Sequence, residues 1–306
     1  MPATTPSSTP TGPRRTSRRG RLASRVLAAG TALLASLGLG ATLAPAAHAA
    51  PGTGNIVAFG DSFAANPDQV RNTLHGVPGP IGDWADDYPQ TAGCLQSPQN
   101  FPRQLSQVTG RTVDDYSCSG ISSGSMITRI NQAINAGVLS NDSTVVLAVG
   151  MNDFGPFGYA ENGTGLIDPV NVAASYRSNM ASAAARIRSV APGASIVVPG
   201  TLPTVDRDTM MYCPLNVVPN MPAGLPIPLL RDVENWNREN QKTAAADIGA
   251  TYVEVIDGAR GHDSCAADTE RYVAGIIDTT TPGYMMMFHP STAGSRYLAE
   301  TVAPHV

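Results

Sequence analysis

What the chain lacks narrows its chemistry first. Beyond residue 49 there is no basic cluster. Residues 50–306 hold 24 acidic against 14 basic side chains, a net charge of −10, compared with −4 for the whole 306-residue chain. An acidic surface without a basic patch offers no electrostatic footprint for a phosphate backbone, so nucleic acid is not an expected partner. Cysteine is scarce, at four, and no two share a C-x-x-C spacing, so no metal site is expected. No internal repeat or low-complexity tract is evident after residue 49. One further absence matters later: Tyr284-Met285-Met286-Met287-Phe288-His289 contains no acid.

The first 49 residues have the opposite character. Arg14, Arg15, Arg18, Arg19, Arg21 and Arg25 stand without any acid, followed by an apolar run from Val26 to Ala46 that closes on Ala47-His48-Ala49. A cationic start, a short hydrophobic stretch and an A-x-A site describe a secretory signal peptide. Gly, Thr and Ser within the run, and no stop-transfer charges after it, argue against a permanent membrane anchor. Residues 1–49 therefore read as a leader and 50–306 as a single domain, secreted to the extracellular space, with a monomer expected. Those 257 residues are enough for one sizeable core. In an exported chain Cys94, Cys118, Cys213 and Cys265 read as two disulfides. Three pairings are possible, and closing the nearer loops favours Cys94–Cys118 with Cys213–Cys265.

Short apolar runs alternate with helical patterns. Asn55–Phe59, Thr144–Val149, Ser195–Val198 and Thr251–Ile256 are largely apolar runs that end at Gly, Pro-Gly or Asp-Gly, with a weaker candidate at Thr112–Tyr116. Such runs suit buried strands of a parallel sheet. Met126–Ala136, Val172–Val190, Leu229–Ile248 and Ser291–Val302 carry helical patterns. Strand and helix in alternation predict an α/β fold, a three-layer α/β/α sandwich around a central parallel sheet. Ligands in such sheets bind beyond the carboxyl ends of the strands. Asn66–Gln99 and Pro199–Pro228 read as long loops over that edge.

Four short motifs fall at that edge. Gly60-Asp61-Ser62 follows the first strand, where a serine hydroxyl can face the crevice; alone, the tripeptide reads equally well as a helix cap. Ser119-Gly120 follows the weak strand, where a glycine N–H can approach a ligand or simply make a turn. Gly150-Met151-Asn152-Asp153 follows Thr144–Val149. The Asn152 amide there can donate to a developing oxyanion, or serve only as a turn residue. His289-Pro290 precedes the last helix, with proline expected in its first turn and a neutral imidazole able to take a proton.

In this order the four motifs resemble blocks I, II, III and V of the SGNH, or GDSL, hydrolases, across nearly all of residues 50–306. The resemblance implies a flavodoxin-like sandwich and a serine ester hydrolase acting without cofactor. Ser62 would be the nucleophile and His289 the base, with an oxyanion hole of Ser62 N–H, Gly120 N–H and the Asn152 side chain. The export signal, paired cysteines and Gly261-His262-Asp263-Ser264-Cys265 are similar to secreted actinobacterial lipases and esterases. One position departs: most members carry Asp three residues before the histidine, and here it is Met286. The expected substitute is the Met286 carbonyl, accepting from His289 Nδ1, in a Ser-His dyad. A distant carboxylate, Asp278 or Asp263, is the alternative.

Met285, Met286, Met287 and Phe288, with Met210 and Met211, form either an apolar wall for an acyl chain or ordinary core. Lipid esters, phospholipids included, are the favoured substrates. Trp84, Tyr88, Tyr159 and Trp236 keep open a carbohydrate acetyl esterase or acyltransferase. A non-catalytic binding protein is the least favoured reading.

Overall fold

A computed structural model describes residues 52–306, so the expected leader lies outside the described residues. Five strands form one sheet: β1 (Ile56–Gly60), β2 (Val113–Asp115), β3 (Thr144–Ala148), β4 (Ser195–Pro199) and β5 (Thr251–Val253). Their order is β2-β1-β3-β4-β5 and every pairing is parallel. Register runs unbroken through the middle, with Ile56 beside Thr144 and Gly60 beside Ala148. All five carboxyl ends therefore share one edge. From β1 the chain passes to β2 on one side and then to β3 on the other, so the topological switch point lies at the end of β1.

Strand periodicity divides the apolar side chains between two layers. Val57, Phe59, Val145, Leu147, Ile196 and Val198 pack against α3 (Met126–Ala136), α4 (Pro169–Val190) and α5 (Pro228–Asp247). Ile56, Ala58, Val146, Val197 and Val253 face α2 (Phe101–Thr109) and α6 (Thr292–Val302). The expected three-layer sandwich is present. The short α1 (Ser62–Ala65) springs directly from β1.

The helix α2 escapes the sequence reading because its apolar face is short. Its signals are nevertheless present: Asn100 accepts from Arg103 N at 3.1 Å and Pro102 occupies the first turn. Two supposed loops also hold structure. Asn66–Gln99 contains helices Gln69–Leu74 and Pro80–Asp86 and a small hairpin, and Pro199–Pro228 contains the hairpin strands Met211–Asn216 and Ala223–Pro226. Pro and Gly there mark turns between short elements rather than a structureless run. Disulfides join Cys94 to Cys118 and Cys213 to Cys265, with Cα–Cα distances of 5.2 and 5.1 Å. No described helix is long and apolar enough to cross a membrane.

Leu147 is fully buried in the centre of the sheet. Leu147→Ala is expected to cost about 2–5 kcal/mol in urea unfolding with both disulfides intact, the range for cavity-forming core truncations. A loss below about 1 kcal/mol would mean that this layer is loosely packed.

Candidate active site

The β1 ladder continues past the strand and fixes the Gly60-Asp61-Ser62 turn. Cys118 N donates to Gly60 O at 2.9 Å on one side, and Asp61 N donates to Ala148 O at 3.1 Å on the other. Asp61 is the N-cap of α1, its carboxylate accepting from Phe63 N at 2.9 Å. Ser62 is thus the first helical residue and is partly buried. At the other end of α1, Asn66 takes a left-handed conformation, φ 40°, and its N–H closes on Ser62 O at 2.8 Å.

The other motifs follow the neighbouring strands. Gly120 has φ 80°, and a Cβ placed on it would come within 3.3 Å of the Phe157 ring. Asn152 donates from Nδ2 to Ile121 O at 2.9 Å, joining the Gly150 loop to the Gly120 loop. An amide nitrogen has two hydrogens, so one remains for a ligand. Gly150 has φ 148° and leaves no room for a side chain, since a Cβ would fall 2.1 Å from Asn237 Oδ1. The carbonyl just before it, Val149 O, accepts from Tyr176 Oη at 3.2 Å and Gln241 Nε2 at 3.1 Å.

His289 enters from the loop before α6. Phe288 N donates to Gly275 O at 2.9 Å and Ala274 N to His289 O at 3.0 Å, strapping this loop to residues 274–275. Pro290 stands before the helix rather than in its first turn, because Ser291 is the N-cap, accepting from Gly294 N at 3.1 Å. The serine turn and the histidine loop are joined directly. Asn66 Nδ2 donates to Pro290 O at 2.8 Å, Gln69 N to Met285 O at 2.9 Å, and the Phe63 and His289 rings lie 5.0 Å apart.

The partner of His289 Nδ1 is a carbonyl, but not the expected one. Nδ1 lies 2.8 Å from Met287 O, whereas Met286 O was expected. The cause is Phe288, whose φ of 63° turns the chain back so that the carbonyl two residues before the histidine reaches the ring. A carbonyl oxygen can only accept, so Nδ1 carries the hydrogen and Nε2 is left with its lone pair. Nε2 is buried and has no hydrogen-bond partner, Ser62 Oγ included. Catalytic hydrogen bonds are often loose before substrate binds. Neither alternative carboxylate reaches His289. Asp278 accepts from Gly275 N and from Thr281, and Asp263 accepts from Cys265 N.

Burial dominates the electrostatics. It lowers the His289 pKa from 6.5 to about 4, only partly opposed by the Met287 carbonyl, so the ring is neutral at pH 7. Burial also raises Asp61 to about 7, against the Phe63 N–H and with help from the charge of Asp153. Asp153, which accepts from Ser123 N at 3.0 Å, is raised by burial to about 6.

Asn66, Met287 and Phe157 are site neighbours that the sequence reading missed. Asn66 left a signal, a turn-former four residues after the serine; a carbonyl and an over-lying ring leave none. Of the aromatic residues, Trp84 and Tyr88 both lie against the Arg71 guanidinium, at 4.4 and 5.2 Å, and Trp236 stacks on Phe154. Met286 is buried as core, while Met287 is 43% exposed. An open concavity of about 530 Å³ beside β2, lined by Arg103, Asp114 and Tyr116 among others, contains none of the four motifs.

Asn66→Ala should cost about 1–3 kcal/mol in urea unfolding, because Pro290 O loses its donor inside the fold. An unchanged midpoint would show that the two loops are held together by other contacts.

Residues 58–297 match the family model of the GDSL-like lipase/acylhydrolase family. Lipase 2 of Streptomyces coelicolor is 27% identical over 308 residues, covering 90% of this chain and 95% of its own. Among solved structures, phospholipase A1 from Streptomyces albidoflavus is 20% identical, covers 83% of this chain and 99% of its own, and has a TM-score of 0.54. An extracellular lipase from Streptomyces rimosus is 17% identical, covers 83% and 100%, and has the same TM-score. These two share the fold. With a family match spanning most of its length, the chain belongs to the GDSL-like lipase/acylhydrolase family and is an ester hydrolase.

Proposed function

We propose that the chain is a secreted lipid esterase working through an acyl-enzyme on Ser62, with residues 1–49 as its leader. The observation that carries this reading is His289, whose Nδ1 is committed to Met287 O and whose Nε2 lone pair stays free beside the serine turn. Nε2 takes the Ser62 proton as Oγ attacks the ester carbonyl. The tetrahedral oxyanion is held by Ser62 N–H, Gly120 N–H and the second hydrogen of Asn152 Nδ2. His289 then protonates the leaving alcohol, and water repeats the sequence on the acyl-enzyme. Burial raises Asp61 to about 7, so a large part of its charge is absent near pH 7, which lessens repulsion of that oxyanion. The likeness to a lipase and to a phospholipase A1 supports lipid esters over acetylated glycans.

Ser62→Ala is expected to lower kcat on p-nitrophenyl esters by about 10⁴-fold or more, and Asn152→Ala by about 10²–10³. Full activity in Ser62→Ala would end this reading. The acid limb of kcat/KM should follow His289. The base form persists down to about pH 4 and activity falls as protonation proceeds through that pH. An acid limb at the ordinary histidine value, near 6.5, would show that the ring is solvated in the working enzyme.

A further inference from the structure

From Thr209 to Leu230 the chain has no charged residue, although Asp206, Arg207 and Asp208 precede it and Arg231 and Asp232 follow. This stretch forms the hairpin of strands Met211–Asn216 and Ala223–Pro226, and Ile277–Asp278 pairs alongside. Antiparallel sheets ordinarily turn apolar residues inward and polar ones to water. At the base Tyr212 and Cys213 follow that rule and are buried, but beyond them the pattern is reversed. Asn216 and Asp278 point inward and are buried, with Asn216 Nδ2 donating to Asp278 Oδ2 at 3.1 Å and the buried Arg271 nearby. Their neighbours Leu215 and Ile277 are paired in register and exposed, as are Ala223, opposite Leu215, and Leu225 beyond it. Val217, Val218 and Met221 extend the same uncharged surface into the turn, Met221 being 68% exposed.

Contiguous apolar exposure of this kind marks a surface that something covers. We propose that this hairpin docks the enzyme on a zwitterionic lipid surface, presenting the adjacent site to its substrate; the inference rests on the lipid-esterase reading above.

Three observations choose that occupant. Pro222 and Pro226 at the ends of the outer strand have no N–H to offer, which disfavours addition of a partner strand. The surface is rigid: Cys213–Cys265 ties its base, and Asn220 and Asp268 exchange hydrogen bonds of 3.0 and 3.2 Å across its tip. A fixed apolar face loses little side-chain and loop entropy when it meets a fluid layer. Charge supplies the third. The uncharged hairpin leaves an apolar layer as its counterpart, and a net −10 over residues 50–306 repels anionic headgroups and favours neutral ones. The hairpin also touches the catalytic loop, since Tyr212 and Phe288 rings meet edge-on at 5.4 Å, one residue from His289.

The test measures sedimentation with phosphatidylcholine vesicles for the secreted form, residues 50–306, carrying Ser62→Ala, with and without Val218→Glu and Met221→Glu. The pair of charges is expected to weaken vesicle binding by at least about tenfold. In the Ser62 background, the same two substitutions should leave hydrolysis of water-soluble p-nitrophenyl acetate unchanged, which also shows that the variant is folded. Adding phosphatidylglycerol to the vesicles should weaken binding further. Vesicle binding that is indifferent to the two substitutions would overturn the proposal. So would self-association of the parent chain that the substitutions abolish, since a second copy would then be the occupant. As an independent reading, Val218→Trp should show a blue-shifted emission on adding vesicles, and an unshifted spectrum counts against docking. Failure of the parent to hydrolyse the soluble ester would instead strike the esterase reading, leaving the vesicle result to stand by itself.

Discussion

The main-chain ladder at the end of β1 carries the whole site. Because β1 lies between β2 and β3 in parallel register, hydrogen bonding does not stop at Gly60 but runs on through Gly60 O and Asp61 N to the segments that follow each neighbour. The loops bearing Ser62, Gly120 and Asn152 are thereby extensions of the sheet rather than free excursions from it. Groups that must act together are placed by elements whose positions the core already fixes. Only His289 arrives from elsewhere, and Asn66 and Gln69 bond its loop back to the serine turn.

Much of the fold and the site is legible in the sequence, for physical reasons. The buried strands are largely apolar runs bounded by Gly or Pro, a pattern that little besides a covered parallel sheet produces. The four motifs stand out because each sits just after such a run. The helix Phe101–Thr109 does not, since the helical spacing of Phe101, Leu105 and Val108 lasts only nine residues. Nor does the acceptor of His289 Nδ1. Choosing between the Met286 and Met287 carbonyls requires the backbone angle at Phe288, and a positive φ at a bulky aromatic is not something composition announces. The hairpin inside Pro199–Pro228 is hidden by its prolines, which read as loop although they seal a strand edge.

Replacing the usual aspartate by a carbonyl has consequences that follow from charge. A carbonyl fixes the tautomer as a carboxylate would, leaving Nε2 as the acceptor, but it stabilises imidazolium less. The low pKa of His289 expresses this: the ring is half-buried with Nε2 shut off from solvent, and its partner is neutral. In the proposed mechanism, a weak base at Nε2 shifts more of the stabilisation onto the proposed oxyanion donors, whose loops the sheet ladder holds in advance.

The most direct measurement is a crystal structure of the enzyme inhibited by an alkyl phosphonate. The account expects phosphorus bonded to Ser62 Oγ and the phosphoryl oxygen facing Ser62 N, Gly120 N and Asn152 Nδ2. His289 Nδ1 should remain on Met287 O. A carboxylate bonded to Nδ1, or phosphorus on another residue, would contradict it.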